Sequence, residues 1–252
     1  MKYLRTSDLA RAVGIHPNTV RRYVDRGLLP SVQRSPTGYR RFTRRHLDCL
    51  RLVRLVYNDE YPGRTIRASG GHMVQAAVED DWGGALELAY LHLALIKSEQ
   101  AQADASATLL ERWARGAPAD ASGQAMQIGQ VAQLLGVSID MLRNWERNGL
   151  LKVPRDPHNG YRRYGPAEIS RLRVIRMLSR SGYSLMAILR MLLQLDRGSV
   201  SDLRQALDTP RPDEDVYSAS DHWISTLRRQ EELAHQAIAL IEDVIEKRSR
   251  SI

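Results

Sequence analysis

Residues 126–195 read MQIGQVAQLLGVSIDMLRNWERNGLLKVPRDPHNGYRRYGPAEISRLRVIRMLSRSGYSLMAILRMLLQL, and their order decides the fold. Ile128, Val131, Leu134 and Leu135 fall at helical spacing, which predicts a short amphipathic helix over 128–135. Gly136 ends it, because a residue without Cβ turns there without strain. Ser138 is placed to cap a second helix whose inward face takes Met141, Leu142 and Trp145. Two short helices around a Gly-containing turn make a helix-turn-helix, and the second is then the candidate for a DNA major groove.

The next ten residues, 155–164, have no apolar face to bury. Asn159-Gly160 predicts a two-residue hairpin turn, since both positions accept positive φ. Tyr161, Arg162, Arg163 and Tyr164 follow on the return strand, where guanidinium and phenol groups suit phosphate oxygens. Such a hairpin is a wing. Pro166 then opens a helix with Arg171, Arg173, Arg176 and Arg180 outside and Leu172, Ile175 and Leu178 inside. Ser184 caps a further helix over 185–195.

This order resembles the MerR family of winged-helix transcription regulators. The resemblance is carried by Ile128-Gly129, Ala132, Gly136-Val137-Ser138, Leu142-Arg143, Glu146, Gly149-Leu150-Leu151, Asn159-Gly160-Tyr161-Arg162-Arg163-Tyr164, Leu172 and Gly182-Tyr183-Ser184-Leu185. Many members have two aromatics after the recognition-helix arginine. Asn144-Trp145 stands there in this chain, so base preference does not transfer.

The chain holds the pattern twice. With Gly14 set against Gly136, an offset of 122 without a gap, thirteen positions agree: Ala10, Gly14, Arg21, Gly27, Leu28, Leu29, Gly38, Tyr39, Arg40, Arg41, Leu50, Arg51 and Arg54. They mark the turn, the recognition helix, its exit, the wing and the helix behind it, so a whole domain is duplicated. In this first module Thr6 is expected to cap a helix over 7–13, and Pro17 to open the recognition helix. Val20, Tyr23 and Val24 point inward; Asn18, Thr19, Arg21 and Arg22 point outward. Residues 35–38 form the wing tip, and Thr43 caps the next helix. After Tyr57 the first module departs from the family, because 58–63 replace the expected Gly-Tyr-Ser-Leu.

Each module is followed by one long helix. Over 85–113, Ala89, Leu93, Ile96, Gln100, Ala103, Ala107, Leu110 and Ala114 recur at spacings of four and three, an Ala-rich heptad seam. Over 222–248, Ile224, Leu227, Glu231, Ala234, Ile238, Ile241 and Ile245 do the same. The resemblance implies that such helices pair antiparallel. Residues 68–84, rich in glycine and acids, read as a partly exposed connection. The fold class is mainly α, with two winged helix-turn-helix domains, each followed by a coiled-coil-type helix. The expected boundaries are 1–75, 84–115, a linker at 116–123, 124–198 and 216–250.

Charge follows the same division. The net charge is +8, distributed as +10 over 1–75, −5 over 76–122, +7 over 123–200 and −4 over 201–252. Nearly all the positive charge is arginine, which favours bidentate phosphate contacts. Cys49 is the sole cysteine, so neither a disulfide framework nor a thiolate metal site is expected within one chain. Its Arg-rich helix would lower its pKa, though an ordinary buried thiol is the first reading. His72, His92, His222 and His235 are not closely paired, and no metal or cofactor is expected. No stretch approaches the ~18–20 apolar residues of a membrane helix, so a cytoplasmic, nucleoid-associated protein is expected.

The DNA-facing set is therefore Pro17, Asn18, Thr19, Arg21, Arg22, Tyr23, Tyr39, Arg40 and Arg41 in the first module. In the second it is Ser138, Asp140, Arg143, Asn144, Trp145, Asn159, Tyr161, Arg162 and Arg163. Tyr23 and Trp145 lie at its edge, where ring packing is the first reading. The pairing set is Leu93, Ile96, Ala103, Leu110, Leu227, Ala234, Ile238, Ile241 and Ile245. The expected partner is double-stranded promoter DNA, with RNA polymerase implied by the resemblance, which also implies bending or untwisting of the promoter. The long helices pair either within one chain, as a monomeric pseudo-dimer, or between two chains. The second case gives a four-headed homodimer of architectural or excisionase-like type. Two helix-length segments beyond the modules are too little for a recombinase or nuclease centre, so no enzyme is expected. The usual effector domain of the family is absent, and an effector is unknown.

Overall fold

The computed structural model describes residues 3–58, 63–115, 125–198, 203–209 and 222–250. Its elements are α1 Thr6–Ala12, α2 Pro17–Asp25, β1 Gln33–Arg34, β2 Arg40–Arg41, α3 Arg44–Val56, α4 Arg64–Val78, α5 Trp82–Ala114, α6 Ile128–Leu135, α7 Ile139–Arg147, α8 Pro166–Arg180, α9 Leu185–Asp196, α10 Leu203–Asp208 and α11 Trp223–Ser249. The expected linker at 116–123 lies outside the described residues. The chain divides into two compact units: Met1–Ser98 with Leu227–Ile252, and Glu99–Thr226. Each unit thus takes a part of α5 and a part of α11. No helix among the described residues is long and apolar enough to cross a membrane.

In the first unit, the core is formed by Leu9, Val20, Phe42, Leu50, Leu52 and Val53, all fully buried. Helix α1 begins one residue earlier than its sequence suggests. Arg5 occupies the cap position, and the Asp8 carboxylate, rather than Thr6, accepts its backbone N–H at 2.8 Å. Pro17 opens α2 as expected, with the His16 ring nitrogen accepting the Asn18 N–H at 3.2 Å. Thr43 precedes α3, and His46 Nδ1 accepts its N–H at 3.1 Å.

The stretch 68–84 is not the connection its composition suggests. Most of it is α4, and only Glu79, Asp80 and Asp81 link α4 to α5. The glycines serve packing. A Cβ on Gly70 would stand 2.7 Å from Val56 Cγ1 and 3.4 Å from His92 Cε1, so only glycine lets α3, α4 and α5 meet there. Asp80 takes a positive φ of 75° and gathers the end of the unit. Its carboxylate pairs with Arg45 at 3.0 Å and Arg248 at 2.7 Å, and accepts the Trp82 indole N–H at 3.2 Å.

Helices α5 and α11 run antiparallel in this unit. Tyr90 Oη donates to Glu242 at 3.1 Å, Lys97 pairs with Glu231 at 3.5 Å, and the Arg248 guanidinium lies 6.0 Å over the Trp82 ring. Ala89, Leu93 and Ile96 are buried, as are Leu227, Ala234, Ile238 and Ile241. In the last turns the stripe shifts by one residue: Val244 is buried and Ile245 only half so.

Four buried titratable groups among the described residues lie in the same unit: His46, Asp48, Cys49 and His92, with burial holding the Asp48 carboxyl above its ordinary range. Burial pushes the Cys49 thiol up to about 12, and the nearby arginine does not reverse this, contrary to the lowered value expected from its Arg-rich helix. His46 and His92 are both held below the ordinary imidazole range, chiefly by burial. His92 Nδ1 has no hydrogen-bond partner among the described residues. The folded state therefore binds fewer protons at the two histidines than the unfolded chain. Their contribution is complete above the ordinary histidine value near 6.5 and is lost as pH falls through the lower folded values. The melting temperature should drop between pH 7 and pH 5. A His92→Leu variant should show a smaller drop, and equal drops in the two proteins would rule out His92 as a cause.

The second unit repeats the winged module on the rest of α5. Leu135, Leu142, Leu150, Leu172, Ile175, Leu178, Ile188 and Leu192 fill its core. Gly136 closes α6 in the left-handed region at φ 58°, and Ser138 Oγ accepts the Met141 N–H at 3.1 Å. Arg171 does not face solvent freely. It donates to Leu150 O at 2.6 Å and makes two hydrogen bonds to Asp196, tying α8 to the end of α9. The module sits on α5 through Ser106–Ser181 at 2.6 Å, Tyr183 Oη to Ala103 O at 3.3 Å and Trp113 Nε1 to Ser170 at 2.7 Å. Ala103, Ala107 and Leu110 are fully buried. Gly182, at φ 91°, brings α8 and α9 against Trp223 at the start of α11.

Candidate nucleic-acid interface

Each recognition helix presents an arginine held by the residue three positions earlier. Arg21 Nη1 donates to Asn18 Oδ1 at 2.9 Å in α2, and Arg143 Nη1 donates to Asp140 Oδ1 at 3.2 Å in α7. The two pairs stand at the 122-residue offset, so the duplication preserves a side-chain arrangement as well as residue types. One turn apart on a helix, such pairs restrict the arginine before any partner arrives. Asn18, Arg21, Arg22, Asp140 and Arg143 are exposed, while Thr19 and Tyr23 are half-buried. Ser138 is exposed, with its oxygen engaged in the cap. Asn144 is half-buried, and its side-chain oxygen accepts from Asn148 at 3.0 Å.

Of Met141 and Trp145, both expected on the inner face of α7, only Trp145 is buried. Trp145 is 3% exposed and belongs to the core, which removes its ring from the outer face. Met141, expected inward, is 44% exposed. Leu142 and Trp145 alone supply the buried stripe of this short helix.

The wings are built alike at the hinge and differently at the tip. In the first, Gln33 pairs with Arg41 and Arg34 with Arg40, antiparallel. Ser35 N–H donates to Tyr39 O at 2.8 Å around Gly38, at φ 83°. In the second, Arg155 and Arg162 form the bridge, and Asp156 N–H donates to Tyr161 O at 2.8 Å. The loop between Asp156 and Tyr161 holds four residues, so Asn159-Gly160 is not the two-residue turn its sequence predicts. Only Gly160 has positive φ, at 72°. The competing signal is Asp156-Pro157: the Asp156 carboxylate accepts the His158 N–H at 2.9 Å and starts the turn two residues early. Both tips share one contact absent from the sequence reading. Arg34 donates to Gly38 O at 3.3 Å, and Arg155 to Gly160 O at 3.2 Å.

The paired wing arginines divide their roles. Arg40 reaches Asp25 at 3.5 Å and Arg162 reaches Glu146 at 2.6 Å, so the first arginine of each wing braces the return strand against its recognition helix. Glu146 and Arg162 are both mostly covered, which strengthens the pair. The second arginine is placed differently. Arg41 lies 4.9 Å over the Tyr3 ring, and Arg163, more than half exposed, approaches Asp156 at 3.4 Å. Tyr39 and Tyr161 stand out at 77% and 69% exposure. Phe42 and Tyr164 are buried and pair with Leu4 and Met126, closing each wing onto the start of its module.

Comparison with known proteins agrees with this geometry. The profile described as "MerR HTH family regulatory protein" matches residues 126–195, and that described as "MerR family regulatory protein" matches residues 5–42. Both modules thus match the MerR family, each over its own segment of the chain. The mercuric resistance operon regulatory protein of Serratia marcescens is 39% identical over 74 residues, covering 29% of this chain and 51% of that protein. The protein of the same description from Shigella flexneri is 38% identical over 74 residues, with the same coverage. A probable heavy metal-dependent transcriptional regulator of Haemophilus influenzae is 37% identical over 71 residues, covering 28% and 56%. The chain thus spans about half the length of the curated relatives it matches. No solved structure matches it. The matched segments contain α2 and α7, the second helix of each helix-turn-helix, and the first segment ends at the wing's Phe42.

Proposed function

We propose that this chain is a MerR-type transcription regulator that binds double-stranded promoter DNA with two unlike heads and acts as a covalent pseudo-dimer. The supporting observation is the doubled constellation: Asn18–Arg21 with Arg40–Asp25 in one unit, and Asp140–Arg143 with Arg162–Glu146 in the other. Arginine held on a recognition helix suits guanine edges, and arginines and tyrosines on the wing suit phosphates. The antiparallel contacts of α5 with α11 occur within one chain, which supports internal pairing of the long helices. Regulation by bending or untwisting the promoter, with RNA polymerase as partner, is part of the same proposal and rests on the family resemblance. A thiolate-bound effector is not proposed, because Cys49 is buried with its thiol pushed up.

Light scattering of the purified protein, free and on a promoter duplex, tests the pseudo-dimer. The expected mass is that of one 28.6 kDa chain, and one chain per duplex. Two chains in either state would overturn internal pairing and leave the four-headed homodimer in its place.

A further inference from the structure

The two recognition helices hold equivalent arginines yet differ beside them. Position 19 is Thr19, half-buried; its counterpart is Met141, 44% exposed. Leu134 and Ile139, at 47% and 37% exposure, lie within eight residues of Met141 on the same helix-turn-helix. Their counterparts in the first module are Ala12 and Pro17. The second module thus carries apolar surface on its outer face where the first carries little. A single exposed apolar residue is ordinary. Met141, however, immediately follows Asp140 and lies two residues before Arg143, the pair that fixes the outer face of α7. The N-terminal residues of a recognition helix approach base edges, and the apolar group on the floor of the major groove is the thymine 5-methyl.

We infer that Met141 is a specificity-determining residue that reads a thymine methyl next to the base faced by Arg143, so that the second half-site contains a required thymine which the first lacks. Met suits this because its unbranched thioether adapts to the position of a methyl group. The inference rests on the DNA-binding reading above, and its test separates the two.

A duplex is selected from a random library with the full chain. Each thymine is then replaced singly by deoxyuridine, which keeps base pairing and removes only the methyl. Anisotropy titrations should find one or two thymines in one half-site whose replacement weakens binding about fourfold per methyl. Met141→Gln, similar in length and helix propensity, should bind the thymine and deoxyuridine duplexes equally. Arg143→Ala should relax base preference in that same half-site. The inference is overturned, with DNA binding left standing, if no methyl matters or if Met141→Gln retains the full deoxyuridine penalty. A library from which nothing is enriched sinks the DNA-binding reading, and this inference with it.

Discussion

Replacing Arg21 and Arg143 together with alanine should weaken binding to a selected duplex by about 30-fold to 10⁴-fold. Each bidentate arginine–base contact is worth about 1–3 kcal/mol, and the two residues lie in separate compact units, so their losses add. Binding to unrelated duplex DNA should fall by no more than about tenfold, because the wing and flanking arginines continue to neutralise phosphate. The Asn18 and Asp140 acceptors sharpen the expectation, since they hold each guanidinium in place before binding. Titrations on both duplexes at one fixed salt concentration decide the matter. Equal losses on both would mean that these arginines meet phosphate only, and that the sequence is read elsewhere.

Gly182→Ala should unfold the second unit more readily than a single methyl addition at any other described glycine of that unit. The residue sits at φ 91°, where an L side chain is strained by about 1–3 kcal/mol. Its Cβ would also stand 2.5 Å from Cε2 and Nε1 of Trp223, a buried ring, and overpacking of this kind costs about 1–3 kcal/mol more. The expected loss is about 2–6 kcal/mol, a large share of the stability of an ordinary domain. Gly136→Ala is the control. It also has positive φ, at 58°, but its new methyl meets nothing nearer than Arg176 Nη2 at 3.6 Å. Urea unfolding that finds the two variants equal would remove the Trp223 contact from the account.

Local signals made much of the architecture readable. Gly136, Ser138, Pro17, Pro166 and Ser184 each act on the backbone within a few residues, so the ends of α2, α6, α7, α8 and α9 follow from them. The long seam of α5 was legible because burial repeats at a fixed spacing. What failed depended on distant partners or on competition between signals. Gly70 reads as a breaker until Val56 and His92 are seen to crowd it. Asn159-Gly160 reads as a turn until Asp156-Pro157 claims the loop first. Met141 turns outward because a nine-residue helix with two buried positions barely defines a period. For the candidate interface, the duplicated arginines stood out at once. The bracing role of Arg40 and Arg162 did not, because Asp25 and Glu146 lie fifteen and sixteen residues upstream and meet them only in three dimensions.

The crosswise use of α5 and α11 fixes the order in which the molecule is finished on the ribosome. The first unit takes its closing helix from Leu227–Ile252, after the whole of Glu99–Thr226 has been made. At about 5–20 residues per second, those 128 residues hold the amino-terminal head waiting for about 6–25 s with one side of its helix seam unmatched. The carboxyl-terminal head, built from contiguous chain, is completed first. A stop codon shortly after Thr226 would therefore damage the head that was translated earliest, although its own winged-helix sequence would be intact.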